Sequence, residues 1–326
     1  MIAALAPRTA ELRAAGRSYI KRPAASRRWE DGMRVSLAVS IALISSLAFA
    51  GSVGSNELGE IRKLADVTNN LPSNMRAEII ARKYRSQYPA SNLADLDTVA
   101  LRERYESADI AAFYSHDRGI ALEMLAIHEI MRSRRESNLS DLIAAAGALV
   151  VTRSFNAART LLSAEPLPEL TIPDVEELVT DDNYRWQILR LGPKGLVRDI
   201  AAIDAGMRVV VVSNPLCGFS SAATKAIESD PYLSAFFSEY GLWLVPPAQR
   251  LYVDEVSFWK ETYPAQEIVL AYQRTNWPVI DDWATPTFYF LKDGIVVDKI
   301  SGWPKDGRNM VKLRAAVSSA IAIGDN

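Results

Sequence analysis

Residues 208–212 read RVVVV, an uninterrupted β-branched run. Branching at Cβ favours extended backbone, and a run with no polar alternation fits a strand covered on both faces. Directly after it come Ser213, Asn214, Pro215, Leu216, Cys217, Gly218, Phe219 and Ser220, then the Ala-rich segment SSAATKAIE. Strand, tight turn and helix in that order put Cys217 at a helix N-terminus. There the unpaired N–H groups and the helix dipole favour a thiolate and lower the thiol pKa.

The elements around this unit read as α/β. Residues 184–191 are aromatic and apolar with some alternation, and residues 196–203 suit a strand or a short helix. Residues 241–246 (GLWLVP) and 267–273 (EIVLAYQ) read as strands, with a helix over 252–263 between them. Trp283-Ala284-Thr285-Pro286-Thr287 leads into an apolar run at 288–291. A Lys292-Asp293-Gly294 turn, a second run at 295–300, Gly302-Trp303 and an amphipathic helix over 309–323 follow. Lys-Asp-Gly between two apolar runs is a hairpin signal.

Three features in this order carry a resemblance: Pro215-x-Cys217-x-x-Ser220 between strand and helix, a Thr-Pro-Thr turn before a hairpin, then Gly-Trp and a last helix. Over residues 184–326 the chain resembles the thioredoxin superfamily. The resemblance implies a central mixed sheet flanked by helices, and a cis proline, matched by Pro286, against the active-site cysteine. The stretch from Cys217 to Pro286 is longer than in a minimal thioredoxin, leaving room for an extra helix around Trp259.

The departure from that family decides the chemistry. Dithiol members carry a second cysteine where this chain has Ser220, and the chain holds one cysteine in all. A lone thiolate can attack a disulfide and form a mixed disulfide, but cannot resolve it within the chain. What remains is exchange or isomerisation, deglutathionylation with an outside thiol, or sulfenic-acid chemistry. The string CGFS also resembles monothiol glutaredoxins, without their lysine just before the cysteine. The expected site has Cys217 as nucleophile, with Ser220 and nearby N–H groups on its thiolate. Pro215, Gly218, Phe219, Trp283, Thr285 and Pro286 line the substrate. Thr285 and Pro286 are expected to hold an extended peptide at a strand edge. Asp281 and Asp282 are placed as a general base or as exposed loop carboxylates. Trp243, Trp259 and Trp277 read as core, with Trp283 and Trp303 as groove candidates.

Residues 56–164 show helical periodicity, with segments over 57–68, 73–88, 95–114, 117–134, 140–151 and 155–162. On the third, Leu96, Val99, Leu101, Tyr105, Ala108, Ala112 and Phe113 share a face, and Asp95, Asp117 and Ser140 can cap helices or lie in first turns. The stretch LIAAAGALVVTRSFNAARTLL resembles a tetratricopeptide helix pair, with Ala145, Gly147, Ala157 and Ala158 allowing close helix approach; no fixed repeat accompanies it, and a plain bundle reads equally well. Residues 165–183 hold seven carboxylates, no Lys or Arg, and Pro166, Pro168 and Pro173, which reads as an acidic linker between an all-α domain (51–164) and the α/β domain (184–326).

Ahead of the helices, Arg34, an apolar run over 35–47 and Ala48-Phe49-Ala50 have the layout of a secretory signal. On that reading Met33 is the true start, and cleavage after Ala50 gives a periplasmic or secreted protein. An uncleaved membrane anchor is the alternative, although the run is short for a span. Without residues 1–50 the charge is 29 basic against 36 acidic residues, which excludes a typical nucleic-acid binder. One cysteine and two histidines, His116 and His128, leave no metal site and no cofactor to be expected. The expected function is an exported monothiol thioredoxin-like protein acting on cysteine-bearing proteins or small thiols. A redox-inactive adaptor whose helices bind a partner protein is the alternative, and a glutathione-dependent glutaredoxin-like protein the lesser one.

Overall fold

Helices begin where a side chain can take up free backbone N–H groups, and the chain supplies such a residue repeatedly. In a computed structural model describing residues 57–167 and 170–324, six helices come first. They are α1 (Glu57–Val67), α2 (Ser73–Gln87), α3 (Thr98–Ser115), α4 (Arg118–Ser133), α5 (Leu139–Val151) and α6 (Phe155–Ala164). Asp117 caps α4 as expected, accepting from Ile120 N–H at 3.0 Å. Two caps shift. Asp97, not Asp95, starts α3, because a short 3-10 turn (Leu93–Asp95) precedes it. Asn138 starts α5 in a reciprocal box with Asp141, which leaves Ser140 inside the first turn.

The bundle core is Ile61, Ile80, Tyr84, Leu101, Tyr105, Ala108, Ala112, Met124 and Ile127. Within it Glu123 accepts from Arg104 Nε at 2.6 Å and from the Tyr84 hydroxyl at 2.7 Å. The expected face of α3 is narrower than periodicity suggested: Val99 is 75% exposed and Phe113 50%. Gly147 does not admit a neighbouring helix. A Cβ there would lie 3.0 Å from the Cβ of Gln249, so α5 packs against the chain following the sheet's fifth strand.

Residues 165–183 are not a free tether. They contain β1 (Val175–Glu177), parallel to β3 (Gly195–Ile200). The acidic run also supplies counter-charge, since buried Arg198 reaches Glu177 at 3.1 Å and Asp182 at 2.6 Å. Together with β2 (Gln187–Gly192), β4 (Met207–Val212), β5 (Gly241–Val245), β6 (Glu267–Ala271), β7 (Thr287–Lys292) and β8 (Ile295–Ser301), these strands form a mixed sheet of order β1-β3-β2-β6-β5-β4-β7-β8. β4, β5 and β6 run parallel, and β7 lies antiparallel between β4 and β8. Asp293 (φ 50°) and Gly294 (φ 75°) make the β7–β8 turn, both in the left-handed region that such a turn needs.

The β-branched run behaves as its composition demands. Val209 and Val211 enter one core, Val210 and Val212 the other, and all four are at most 1% exposed. The first core receives α7 (Gly218–Glu228), α8 (Pro231–Tyr240), α9 (Val253–Thr262) and α10 (Asn309–Gly324). The second is closed differently. Among the described residues no helix contributes to it, and Trp186, Trp277, Ile280 and Trp283 cover the strands instead. The expectation of a sheet flanked by helices therefore holds for one face, and the tryptophan density reflects the other. Helix α8 had no counterpart in the sequence reading, although Asp230 as cap and Pro231 at the first helical position announce it.

The signal-like segment, including Met33 and the Ala48–Ala50 cleavage motif, lies outside the described residues. Among the described residues no helix is long and apolar enough to cross a membrane.

Candidate functional site

Two segments converge at the end of β4. Asn214 shapes the first: its side chain accepts from Leu216 N–H at 2.8 Å and its carbonyl from Cys217 N–H at 2.9 Å. This Asx-type turn delivers Cys217 to the N-cap of α7, half-buried, with Pro215 in the turn and Gly218 exposed at the first helical position. The second segment is the approach to β7. The Thr285–Pro286 bond is cis, and Pro286 is buried with its carbonyl accepting from Gly302 N–H at 2.8 Å. The two segments touch where Cys217 Sγ donates to the Thr285 carbonyl at 3.5 Å.

Burial pushes the Cys217 thiol up. Hydrogen bonds from the Thr285 side chain, from Ser220 through both N–H and hydroxyl, and from Phe219 N–H outweigh it and hold the thiol below its ordinary value. Thr285 thus offers different partners to the two protonation states. Its carbonyl accepts from the thiol, and its hydroxyl can donate to the thiolate. Ser220 is 1% exposed and also accepts from Asn214 N–H at 3.4 Å, so one side chain braces the turn and faces the sulfur.

Beside these residues runs an open cleft of about 470 Å³, lined by Phe219, Thr285, Trp303, Pro304, Arg308 and Lys312 among others. Phe219 and Leu216, on either side of Cys217, are 50% and 63% exposed. Arg308 is paired with Asp306 at 3.0 Å. Sequence reasoning missed Asn214, Leu216, Arg308 and Lys312. The Asn-Pro pair was a usable signal for the turn, whereas nothing local marks the two cations, which arrive from the far end of the chain.

Several expectations need correction. Trp283 does not line the cleft; it is 7% exposed in the tryptophan-rich core with Arg274 over its ring. No open strand edge follows Pro286, because β7 is paired on both sides and Gly302 occupies the Pro286 carbonyl. Of the two readings of Asp281 and Asp282, the loop-carboxylate one holds: both lie in the loop before β7, Asp281 exposed and accepting from Lys299 and the Tyr289 hydroxyl at 2.6 and 2.7 Å, Asp282 accepting from Ala284 N–H at 3.0 Å. His128 is fully buried with Nε2 3.2 Å from Glu165. Among the described residues no cluster of His, Cys, Asp and Glu is arranged to hold a metal ion.

The chain matches no protein-family model, no curated protein and no solved structure.

Proposed function

We propose that this protein performs monothiol thiol–disulfide exchange through Cys217, in an exported thioredoxin-like setting. The observation that carries the reading is the meeting of Cys217, at the N-terminus of α7, with Thr285 in the turn before β7, where hydrogen bonds hold the thiol below its ordinary value. The thioredoxin-like reading draws support from the order of elements around the site. β4 leads through the cysteine turn into α7, β5 runs parallel to β4, the β7–β8 hairpin completes that side, and α10 follows. Export rests on the segment over 33–50.

In the proposed reaction the Cys217 thiolate attacks one sulfur of a disulfide R–S–S–R′. A Cys217–S–S–R bond forms, the S–S bond of the substrate breaks, and R′ leaves as a thiolate. With Ser220 in place of a second cysteine, an outside thiolate R″–S⁻ attacks the mixed disulfide. Cys217 is released as thiolate and R–S–S–R″ is formed. The cleft beside Phe219 and Trp303 suits a cysteine-bearing peptide or a small thiol, with Lys312 on its wall.

The S–H contact to the Thr285 carbonyl favours the protonated thiol, and it is the observation that speaks for the adaptor reading, in which the cysteine is inert. Because the chain has one cysteine, alkylation by iodoacetamide reports on Cys217 alone. Exchange predicts a rate that titrates below the ordinary thiol range, and trapped partners released by reductant on non-reducing gels. A normal or raised midpoint with no trapped partner overturns the proposal.

A further inference from the structure

Tyr289 lies in β7, its ring in the tryptophan-rich core with Trp283. Its neighbours Phe288 and Phe290 pack into the opposite core, and a phenylalanine at 289 would fill the same space as the tyrosine ring. What the tyrosine adds is a hydroxyl at the base of the loop that leads into its own strand. That hydroxyl accepts from Asp282 N–H at 3.0 Å. It donates toward the Asp281 carboxylate at 2.7 Å and the Asp282 carbonyl at 2.9 Å. One side chain thus holds both backbone polar groups of Asp282. A buried hydroxyl costs stability unless it is bonded, and its removal leaves the Asp282 N–H without that partner.

The loop carries this hold forward to Thr285. The Asp282 side chain accepts from Ala284 N–H at 3.0 Å, and the buried Thr287 hydroxyl donates to the Ala284 carbonyl at 2.7 Å. Between Asp282 and Ala284, Trp283 turns into the core. From β8, Lys299 holds Asp281 at 2.6 Å. Thr285 comes next after these bonds, and its carbonyl meets the Cys217 sulfur at 3.5 Å. Hydrogen bonds weaken steeply as their angle closes, so a loop free to shift would lose its grip on the sulfur. Burial, and after it the bond to Asp281, push the Tyr289 hydroxyl above its ordinary range. The clamp therefore keeps its proton while Cys217 titrates below the ordinary thiol range.

We infer that Tyr289 is a positioning residue for Cys217: by clamping the backbone of Asp282 it holds Thr285, carbonyl and side chain together, against the sulfur. It acts through Thr285 and not on the sulfur itself. Its effect on exchange rests on the exchange reading of Cys217, whereas its effect on the thiol does not.

The test compares Tyr289→Phe with the wild type in the pH dependence of iodoacetamide alkylation. The midpoint should rise, and exchange with an added disulfide at neutral pH should slow by up to about tenfold. Two controls separate positioning from stability. Tyr84→Phe removes a buried hydroxyl bonded to Glu123 in the bundle and should leave the midpoint where it is. In the Thr285→Val background Tyr289→Phe should add less than it does alone, because both act through the Thr285 hydroxyl. Asp282→Ala, which frees the Ala284 N–H, should shift the midpoint the same way and gives the answer should Tyr289→Phe not fold. An unchanged midpoint in folded Tyr289→Phe, a matching rise in Tyr84→Phe, or full additivity with Thr285→Val overturns the inference. A wild type without exchange sinks the exchange reading alone, and the midpoints still decide this one.

Discussion

The sulfur of Cys217 lies 3.5 Å from the carbonyl oxygen of Thr285, a residue 68 positions further along the chain. In the thiol form that carbonyl accepts a hydrogen bond from the S–H. Once the proton leaves, the same oxygen repels the sulfur, and the Thr285 hydroxyl, Ser220 and the first N–H groups of α7 take over. The geometry makes the protonation state of one thiol the variable on which the site turns.

The Thr285 side chain therefore matters more to the thiolate than to the thiol. Thr285→Val keeps the carbonyl and removes the hydroxyl, and should raise the midpoint of Cys217 alkylation. Ser220→Ala should act in the same direction, because Ser220 contributes through its hydroxyl. An alkylation rate measured against pH in each variant checks both. Unchanged midpoints would contradict the hydrogen-bond account.

Linkage gives a stability counterpart. The folded-state thiol pKa is lowered, so the thiolate stabilises the fold fully above the ordinary thiol range. That contribution fades as pH falls through the lowered value. The stability of the wild type relative to Cys217→Ser should thus rise with pH from the lowered folded-state pKa up to the ordinary thiol range and level off above it, in urea unfolding. A difference flat across that range would show that the thiolate gains nothing from its surroundings.

Ser220→Cys should place a second thiol on the first turn of α7 facing Cys217. The expected outcome is turnover of a generic disulfide substrate without an added resolving thiol, which the wild type lacks. The change also removes a hydroxyl that accepts from Asn214 N–H, at a stability loss of about 1 kcal/mol. Turnover assays with and without added thiol, beside a melt, measure the two effects separately.

Arg153 ties the end of α5 to the end of β6. Arg153→Met removes two charge-assisted hydrogen bonds and leaves the carbonyls of Ala271 and Tyr272 without that donor. A loss of about 3 kcal/mol is expected, read as a shift in urea midpoint with an unchanged slope.

At the same junction, Gly147→Val would press branched carbons onto Gln249, whose Cβ is already 3.0 Å from where a Cβ at 147 would sit. Overpacking of this kind costs about 2 kcal/mol. Gln249→Ala in the Gly147→Val background should recover part of it, and a double-mutant cycle showing no coupling would mean that the two positions do not meet.

The sequence alone was enough for what neighbours along the chain decide. Strand β4 follows from crowded Cβ atoms at Val209–Val212, the place of Cys217 from a strand, turn and helix in succession, and the β7–β8 turn from Asp293-Gly294, where a left-handed backbone is needed. Asp117 caps α4 by bonding an N–H three residues away. Each of these depends on sterics or hydrogen bonds within a few residues, and residue type is sufficient to specify them.

Tertiary structure decided everything that depends on which distant surfaces meet. Periodicity marked Val99 and Phe113 as apolar, but burial on α3 is set by where α2, α4 and α5 lie, and both residues fall outside that cover. Charge marked 165–183 as a linker, but the buried guanidinium of Arg198 draws Glu177 and Asp182 onto the sheet. Trp283 looked like a groove residue until the second face of the sheet proved to have tryptophans in place of helices. Thr285 over Cys217, and Arg153 over β6 from 118 residues away, have no local signature, because the contact energy is earned only after the intervening chain has folded to close the distance.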